Sequence, residues 1–273
     1  MCSSDLDGTI ERFLEKPTWG EVFSDTINTG IYVLEPSIFE HIPAGEVVDF
    51  SGDVFPAILA DGQPILGAIS EGYWEDVGTL EAYRSAHDDV LDGRLGLDLP
   101  GFEVRPGVRI GDGADVSPEA RIRGPVLIGE NSRVEAGAVL LPYTVLGADV
   151  VVKADAELER CVVHDHVYIG PSARVRGSVV GRASDVRDGA HIDEHVVIGD
   201  ECFVGAGAVV NPGVKIFPFK SVEEGAVVTS SIVWETKGAR TLFGRRGVRG
   251  LANVDITSET AVDRKSTRLN SSH

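Results

Sequence analysis

Between Val104 and Trp234 the hydrophobic pattern repeats every six residues. Starting at Ile110, the sixth residue is always aliphatic: Ile110, Val116, Ile122, Ile128, Val134, Leu140, Leu146, Val152 and Leu158. A step of five leads to Val163, and the count continues through Ile169 and Val175. A second step of five leads to Val180, followed by Val186, Ile192, Ile198, Val204, Val210, Ile216, Val222 and Val228. The 21 positions contain no failure. Six is neither the helical nor the simple strand period, but it suits short strands joined by tight corners around a narrow interior. A small residue often stands two places before the aliphatic one, as at Ala114, Ala120, Ser132, Ala138, Ala156, Ala173, Ala190 and Ala208. It is expected near the corner. Glycine often follows the aliphatic residue, as at Gly111, Gly129, Gly147, Gly170, Gly199 and Gly205. It is expected to supply the backbone angles of the turn.

The preceding stretch alternates strand and helix patterns. Strands are predicted over Ile10–Leu14, Thr26–Leu34, Ile65–Ile69 (buried) and Gly72–Val77, the last placing Trp74 and Asp76 on one face and Tyr73 and Glu75 on the other. Trp74 is expected in the core rather than as a base-stacking platform. Pro36 opens a helix, and Ser51 or Asp53 caps another whose buried stripe is Val54, Phe55, Ile58 and Leu59. Thr79 caps a third, with Leu80, Tyr83, His87, Val90 and Leu91 on its stripe and Asp92-Gly93 at its end. Alternating elements of this kind make an α/β segment, and Pro100-Gly101 marks the passage to the repeats.

Charge and composition narrow the partners. The 273 residues include 43 acidic and 25 basic ones, a net charge of −18, with no basic stripe, so nucleic-acid binding is disfavoured. No apolar run reaches the roughly 18 residues of a membrane span. Three cysteines, Cys2, Cys161 and Cys202, form neither a disulfide framework nor a CxxC pair, and a reduced cytoplasm is the expected compartment. Both ends resemble translated sequencing adapters, CSSDL at Cys2–Leu6 and DRKSTRLNSSH at Asp263–His273. Residues 1–6 and 263–273 are therefore expected to be artefact and 7–262 an internal fragment.

The hexads resemble the left-handed parallel β-helix of hexapeptide-repeat proteins, which implies about seven three-hexad coils, roughly 33 Å tall. Upstream, FLEKP (Phe13–Pro17), INTGIYVLEP (Ile27–Pro36) and GYWEDVGTLEAY (Gly72–Tyr83) resemble the sugar-1-phosphate nucleotidyltransferases, above all the mannose-1-phosphate guanylyltransferase branch. The resemblance implies that residues 7–98 end a Rossmann-like nucleotidyltransferase domain and 99–234 form the β-helix. It implies sugar-1-phosphate and a nucleoside triphosphate, GTP, as substrates, with Mg²⁺ as cofactor. It assigns sugar and phosphate binding to Glu15 and Lys16, the sugar pocket to Asn28 and Gly30, and the metal to Asp76. A homo-oligomer is expected. The family's Gly-rich nucleotide loop would lie N-terminal to position 7, so the fragment is expected to catalyse nothing alone.

Each residue also has a plainer role: Lys16 solvated at a strand end, Asn28 satisfying local backbone, Asp76 capping a turn. LFGRRGVRG at Leu242–Gly250 resembles the opening motif of the phosphohexomutases, with Arg245 and Arg246 in place of Thr and Asp, so 235–262 would be a linker and the start of such a domain. A basic linker is the alternative. Two other functions remain open: a hexapeptide acyltransferase using His164, His166, His191 or His195 as base, the HDH corner being expected to be solvated, and a non-catalytic oligomerisation solenoid. Phe217-Pro218-Phe219-Lys220 is expected to protrude or contact a subunit.

Overall fold

The computed structural model describes residues 2–4, 8–13, 26–233 and 237–238, and it divides into two compact units, Met1–Trp74 and Glu75–His273.

In the first unit, β1 (Cys2–Ser4) pairs antiparallel with β2 (Ile10–Phe13), and Gly8–Ile10 also exchanges backbone hydrogen bonds with Ile65–Gly67. Pro36 opens a 3₁₀ helix, Pro36–His41. A π turn over Phe50–Val54 runs into α1 (Phe55–Ala60). Its cap is Asp49 rather than Ser51 or Asp53: Asp49 Oδ1 accepts from Gly52 N at 2.6 Å, while Asp53 Oδ2 accepts from Asp49 N at 2.8 Å. This reciprocal bonding satisfies two of the amides a helix start leaves open. Ile38, Val54, Phe55 and Ile58 form a small buried cluster, with Leu59 only half-buried.

Three expected strands are absent here. Thr26–Leu34 and Gly72–Val77 take no regular form, and Ile65–Ile69 makes only an isolated bridge at Leu66. The reason is pairing. A strand exists only against a partner, and Ile31 at 80% exposure and Val33 at full exposure have none to pack against.

In the second unit, α2 (Leu80–Leu91) starts at Thr79, whose hydroxyl accepts from Ala82 N at 3.1 Å. A strand at Phe102–Arg105 then pairs antiparallel with Val108–Ile110, the first strand of a parallel β-solenoid of about seven coils. Each coil contributes one two- or three-residue strand to each of three parallel sheets. From Ile128 onward every hexad aliphatic is at most 6% exposed, whereas Ile110, Val116 and Ile122, in the first coil, are partly buried. The small position is uniform on the third face: Ala120, Ala138, Ala156, Ala173, Ala190, Ala208 and Ala226 recur coil after coil. The two five-residue steps shorten their coils to 17 residues: Val145 pairs with Val162 and Val162 with Val179, whereas Val179 pairs with Val197. The ladders continue across both.

The glycines after the aliphatic residues serve a purpose other than the expected one. Left-handed backbone falls three places after the aliphatic residue instead, at Asn131 (φ 54°), Asp149 (φ 56°), Gly207 (φ 62°) and their equivalents. At Gly111, Gly199 and Gly205 the constraint is contact between coils. A Cβ there would lie 2.6 Å from Glu130 N, 2.6 Å from Pro218 N and 2.5 Å from Glu224 N. We therefore expect Gly205→Ala to destabilise the solenoid by about 1–3 kcal/mol. Gly207→Asn, at an open positive-φ corner, should change stability by less than about 1 kcal/mol, because Asn tolerates that conformation. Urea unfolding of the two variants checks the order.

Candidate functional site

Of the five residues singled out from the sequence, Glu15 and Lys16 lie outside the described residues. Asn28 and Gly30 are brought together: Asn28 Oδ1 accepts from Gly30 N at 3.0 Å, closing a local turn in which Gly30 adopts φ +75°. The Asn28 amide donates to the Tyr32 hydroxyl and, at 3.5 Å, to Ser51 Oγ. The Tyr32 ring in turn stands edge-on to Phe55, 4.9 Å away. Asn28 is thus held half-buried beside a small aromatic cluster, and its local bonds also satisfy the plainer role.

Asp76 belongs to the second unit. Its carboxylate is exposed, and its carbonyl accepts from Gly78 N at 2.8 Å, which folds Asp76–Gly78 into a tight turn just ahead of the Thr79 cap. Trp74, expected in the core, is 43% exposed: the segment around it takes no regular form and offers no sheet face to turn inward. Among the described residues no three His, Cys, Asp or Glu side chains are grouped to hold a metal. Asp76 therefore offers one carboxylate. That is sufficient for Mg²⁺ delivered with a polyphosphate, which keeps waters and phosphate oxygens in its own shell.

The histidines of the solenoid are dispersed. His191 lies on the third face, His195 and His166 sit at corners, and His166 is paired with Asp149 at 3.5 Å. His164 is not solvated as expected. It is half-buried beneath α2, with its Nε2 3.2 Å from the Tyr83 hydroxyl and the two rings 9° from parallel. Burial is the main cause of its lowered pKa, helped by the positive charge of Arg182. This contact is not expected from the hexad pattern, although the chain carries one signal of it. On the first face the residue after the core aliphatic is glycine at 111, 129, 147, 181 and 199, and His164 interrupts that row.

α2 covers much of that face. Leu80, Glu81 and Arg84 lie against Val179 and His195–Val197, and Asp92, at its C-cap, accepts from the Tyr143 hydroxyl at 3.2 Å. Beneath it the outward-facing Val162 and Val179 are only 5% and 6% exposed. No helix among the described residues is long and apolar enough to cross a membrane.

The comparisons divide along the same lines. Residues 2–93 match the family model described as nucleotidyl transferase, and residues 122–233 that of the GMPPB C-terminal domain. The chain is 34% identical to a UTP--glucose-1-phosphate uridylyltransferase of Synechocystis over 70% of its own length and 50% of the relative's. It is 31% identical to a probable mannose-1-phosphate guanylyltransferase 3 of rice over 80% and 55% of the two chains. With the mannose-1-phosphate guanylyltransferase of Mycobacterium tuberculosis it shares 34% identity over 50% and 42%. The chain spans about half the length of the curated relatives it matches. Among solved structures, a Francisella novicida UDP-N-acetylglucosamine acyltransferase aligns at 16% identity and TM-score 0.41, over 59% of this chain and 71% of that one.

Cys161 and Cys202 are free, buried thiols. Burial pushes the Cys161 thiol up to about 12 and raises that of Cys202. Only the thiolate reacts, so Cys161 should resist iodoacetamide at pH 8 in the folded protein and become modified only on unfolding. Peptide mapping of the alkylated sites checks this.

Proposed function

Because residues 2–93 match the nucleotidyl transferases and residues 122–233 the GMPPB C-terminal domain, in that order along one chain, we propose that the chain is part of an enzyme making a nucleotide sugar. The product is GDP-mannose, formed from mannose-1-phosphate and GTP with release of pyrophosphate. That ordered pair of matches carries the reading, and it falls on the segments where the three motifs and the hexads lie. A sugar-phosphate oxygen attacks the α-phosphorus of the triphosphate. The bond to the β-phosphate oxygen breaks, and its electrons leave with pyrophosphate.

The nucleophile is already an anion, so no strong base is needed. The difficulty is holding two polyanions in line, which calls for cations and oriented donors. Lys16 is assigned to the sugar phosphate, Glu15 to sugar hydroxyls, and the Asn28 amide and Gly30 backbone to the sugar pocket. Asp76 would hold Mg²⁺, which supplies charge neutralisation at the phosphates. The local bonding of Asn28 supports a pre-set rotamer for this purpose, since its carbonyl is fixed by Gly30 N. We place the protein in the cytoplasm as a homo-oligomer, with 7–98 ending the transferase domain, 99–234 as the β-helix and 235–262 leading into a phosphohexomutase-like domain.

The similarity to the Synechocystis uridylyltransferase favours a second reading within the same chemistry, UDP-glucose from glucose-1-phosphate and UTP. Acyl transfer with His164 as base gains no such support, because its Nε2 is engaged by Tyr83.

The test is pyrophosphate release by the full-length protein with the four pairings of mannose- or glucose-1-phosphate and GTP or UTP. Preference for mannose-1-phosphate with GTP supports the proposal; the glucose and UTP pair selects the second reading, and no release with any pair overturns both. We expect Asp76→Asn to lower kcat by roughly 10²-fold. Lys16→Ala should raise KM for the sugar phosphate roughly tenfold. Unchanged kinetics in both variants would refute the assignment.

A further inference from the structure

His164 stands where the neighbouring first-face coils carry glycine, and it meets α2 by a contact combining ring stacking with one polar pair. Its ring centroid is 6.3 Å from that of Tyr83, and its Nε2 is hydrogen-bonded to the phenol oxygen at 3.2 Å. Tyr83 is also braced within its own helix. His87 stands edge-on to it at 4.5 Å and donates from Nδ1 to the Tyr83 carbonyl at 2.8 Å.

From Tyr83 a short series of bonds leads toward the WEDVG turn. Tyr83 N donates to the Thr79 carbonyl at 2.9 Å, and the Thr79 hydroxyl accepts from Ala82 N. One residue earlier, Gly78 N donates to the Asp76 carbonyl at 2.8 Å. Between the helix and the turn no residue is left to absorb a shift. Displacing the first turn of α2 therefore displaces Asp76.

We propose that His164 is a positioning residue for Asp76: through Tyr83 it fixes the first turn of α2, and with it the turn that presents the Asp76 carboxylate. The functional sense of this contact rests on the reading of Asp76 as a metal ligand.

The charged and titratable groups facing His164 are Arg182, Asp165 and Asp200 from the solenoid and Tyr83 and His87 from the helix. Burial comes first and Arg182 second in disfavouring the imidazolium, while the two aspartates oppose them. The pKa is depressed in the docked state, so docking is at full strength above the ordinary histidine value of about 6.5 and weakens as pH falls through it. The loss is complete below the depressed value.

Hydrogen exchange of this chain, expressed as protection factors, tests the contact. His164→Ala should lower protection of the Gly78 and Tyr83 amides roughly tenfold at pH 7.5 while leaving solenoid amides such as Gly170 unchanged. His164→Phe keeps the stacked ring and should restore protection, yet lack the drop the wild type shows between pH 7.5 and 5.5. Unchanged protection in His164→Ala overturns the proposal, and so does a pH response that persists in His164→Phe, which would assign it to His87. Paramagnetic broadening of the Asp76 amide by Mn²⁺, measured against Asp76→Asn, separates the two readings. Broadening in the wild type that weakens in His164→Ala supports the proposal. No broadening in the wild type overturns the metal assignment and the positioning role together. Broadening that is equal in wild type and His164→Ala overturns the positioning role alone.

Discussion

The solenoid depends on a vertical constraint. Each coil is hydrogen-bonded to the next at every face, so a residue's neighbour above and below is fixed to be its counterpart 17 or 18 positions away. Strands in such a ladder lie about 4.8 Å apart, and at that spacing an interior position is a column, not a site. A column of alanine on the third face leaves the width that the large aliphatics fill. A single larger side chain in it would push two coils apart and strain the ladders of all three faces. This is why the pattern is strict, and why the same constraint reappears at Gly111, Gly199 and Gly205, where a methyl group would meet the backbone of the coil above.

The constraint also decides what was legible in the sequence. The solenoid was legible because its determinants are columns of identical chemistry, and a period survives in one dimension. Which glycine took positive φ was not, since composition does not carry the sign of a torsion. The corners show the consequence: Asn131, Asp149, Tyr143 and His195 hold left-handed backbone alongside glycines, while the glycines that stood out in the repeat serve coil packing. In Thr26–Leu34 and Ile65–Ile69 the residues are good strand formers, but a strand is a property of a pair. Nothing in Ile27–Leu34 indicates whether a partner lies alongside.

Of the candidate site, the motifs were legible and their geometry was not. Asn28 and Gly30 belong to one motif, INTGIYVLEP, and a 3.0 Å bond joins them. Asp76 was placed on a strand and lies in a turn that leads directly into the Thr79 cap. The contact between His164 and Tyr83 was missed because an outward-facing histidine on a repeat has solvent as its default neighbour. A second column held the clue. The outward residue before the core aliphatic on the first face is charged at both ends, Arg109 and Lys215, and aliphatic between them, at Leu127, Val145, Val162, Val179 and Val197, but Asp115, Arg133 and Asp185 appear on the second and Arg121, Glu157 and Arg174 on the third. Five aliphatic residues in a row on an outward column predict a cover, and α2 covers part of it.

The two short coils then acquire a physical reason. α2 touches the corners between the third and first faces at Tyr143 and His195, and the charge of Arg160, at a corner between them, acts on Asp88. Those corners belong to the third, sixth and fourth coils. The five-residue steps remove one residue from the fourth and fifth, at the corners Arg160 and Gly177, which follow Tyr143 and precede His195. A helix of 12 residues is about 18 Å long, against about 14 Å for three coil spacings, so it bridges the third to the sixth with both ends resting on full-length corners. The outward valines of those same coils, Val162 and Val179, are the most deeply covered of the column. The two shortened coils are thus the ones covered most deeply, and His164, two residues after the outward Val162, meets Tyr83 there.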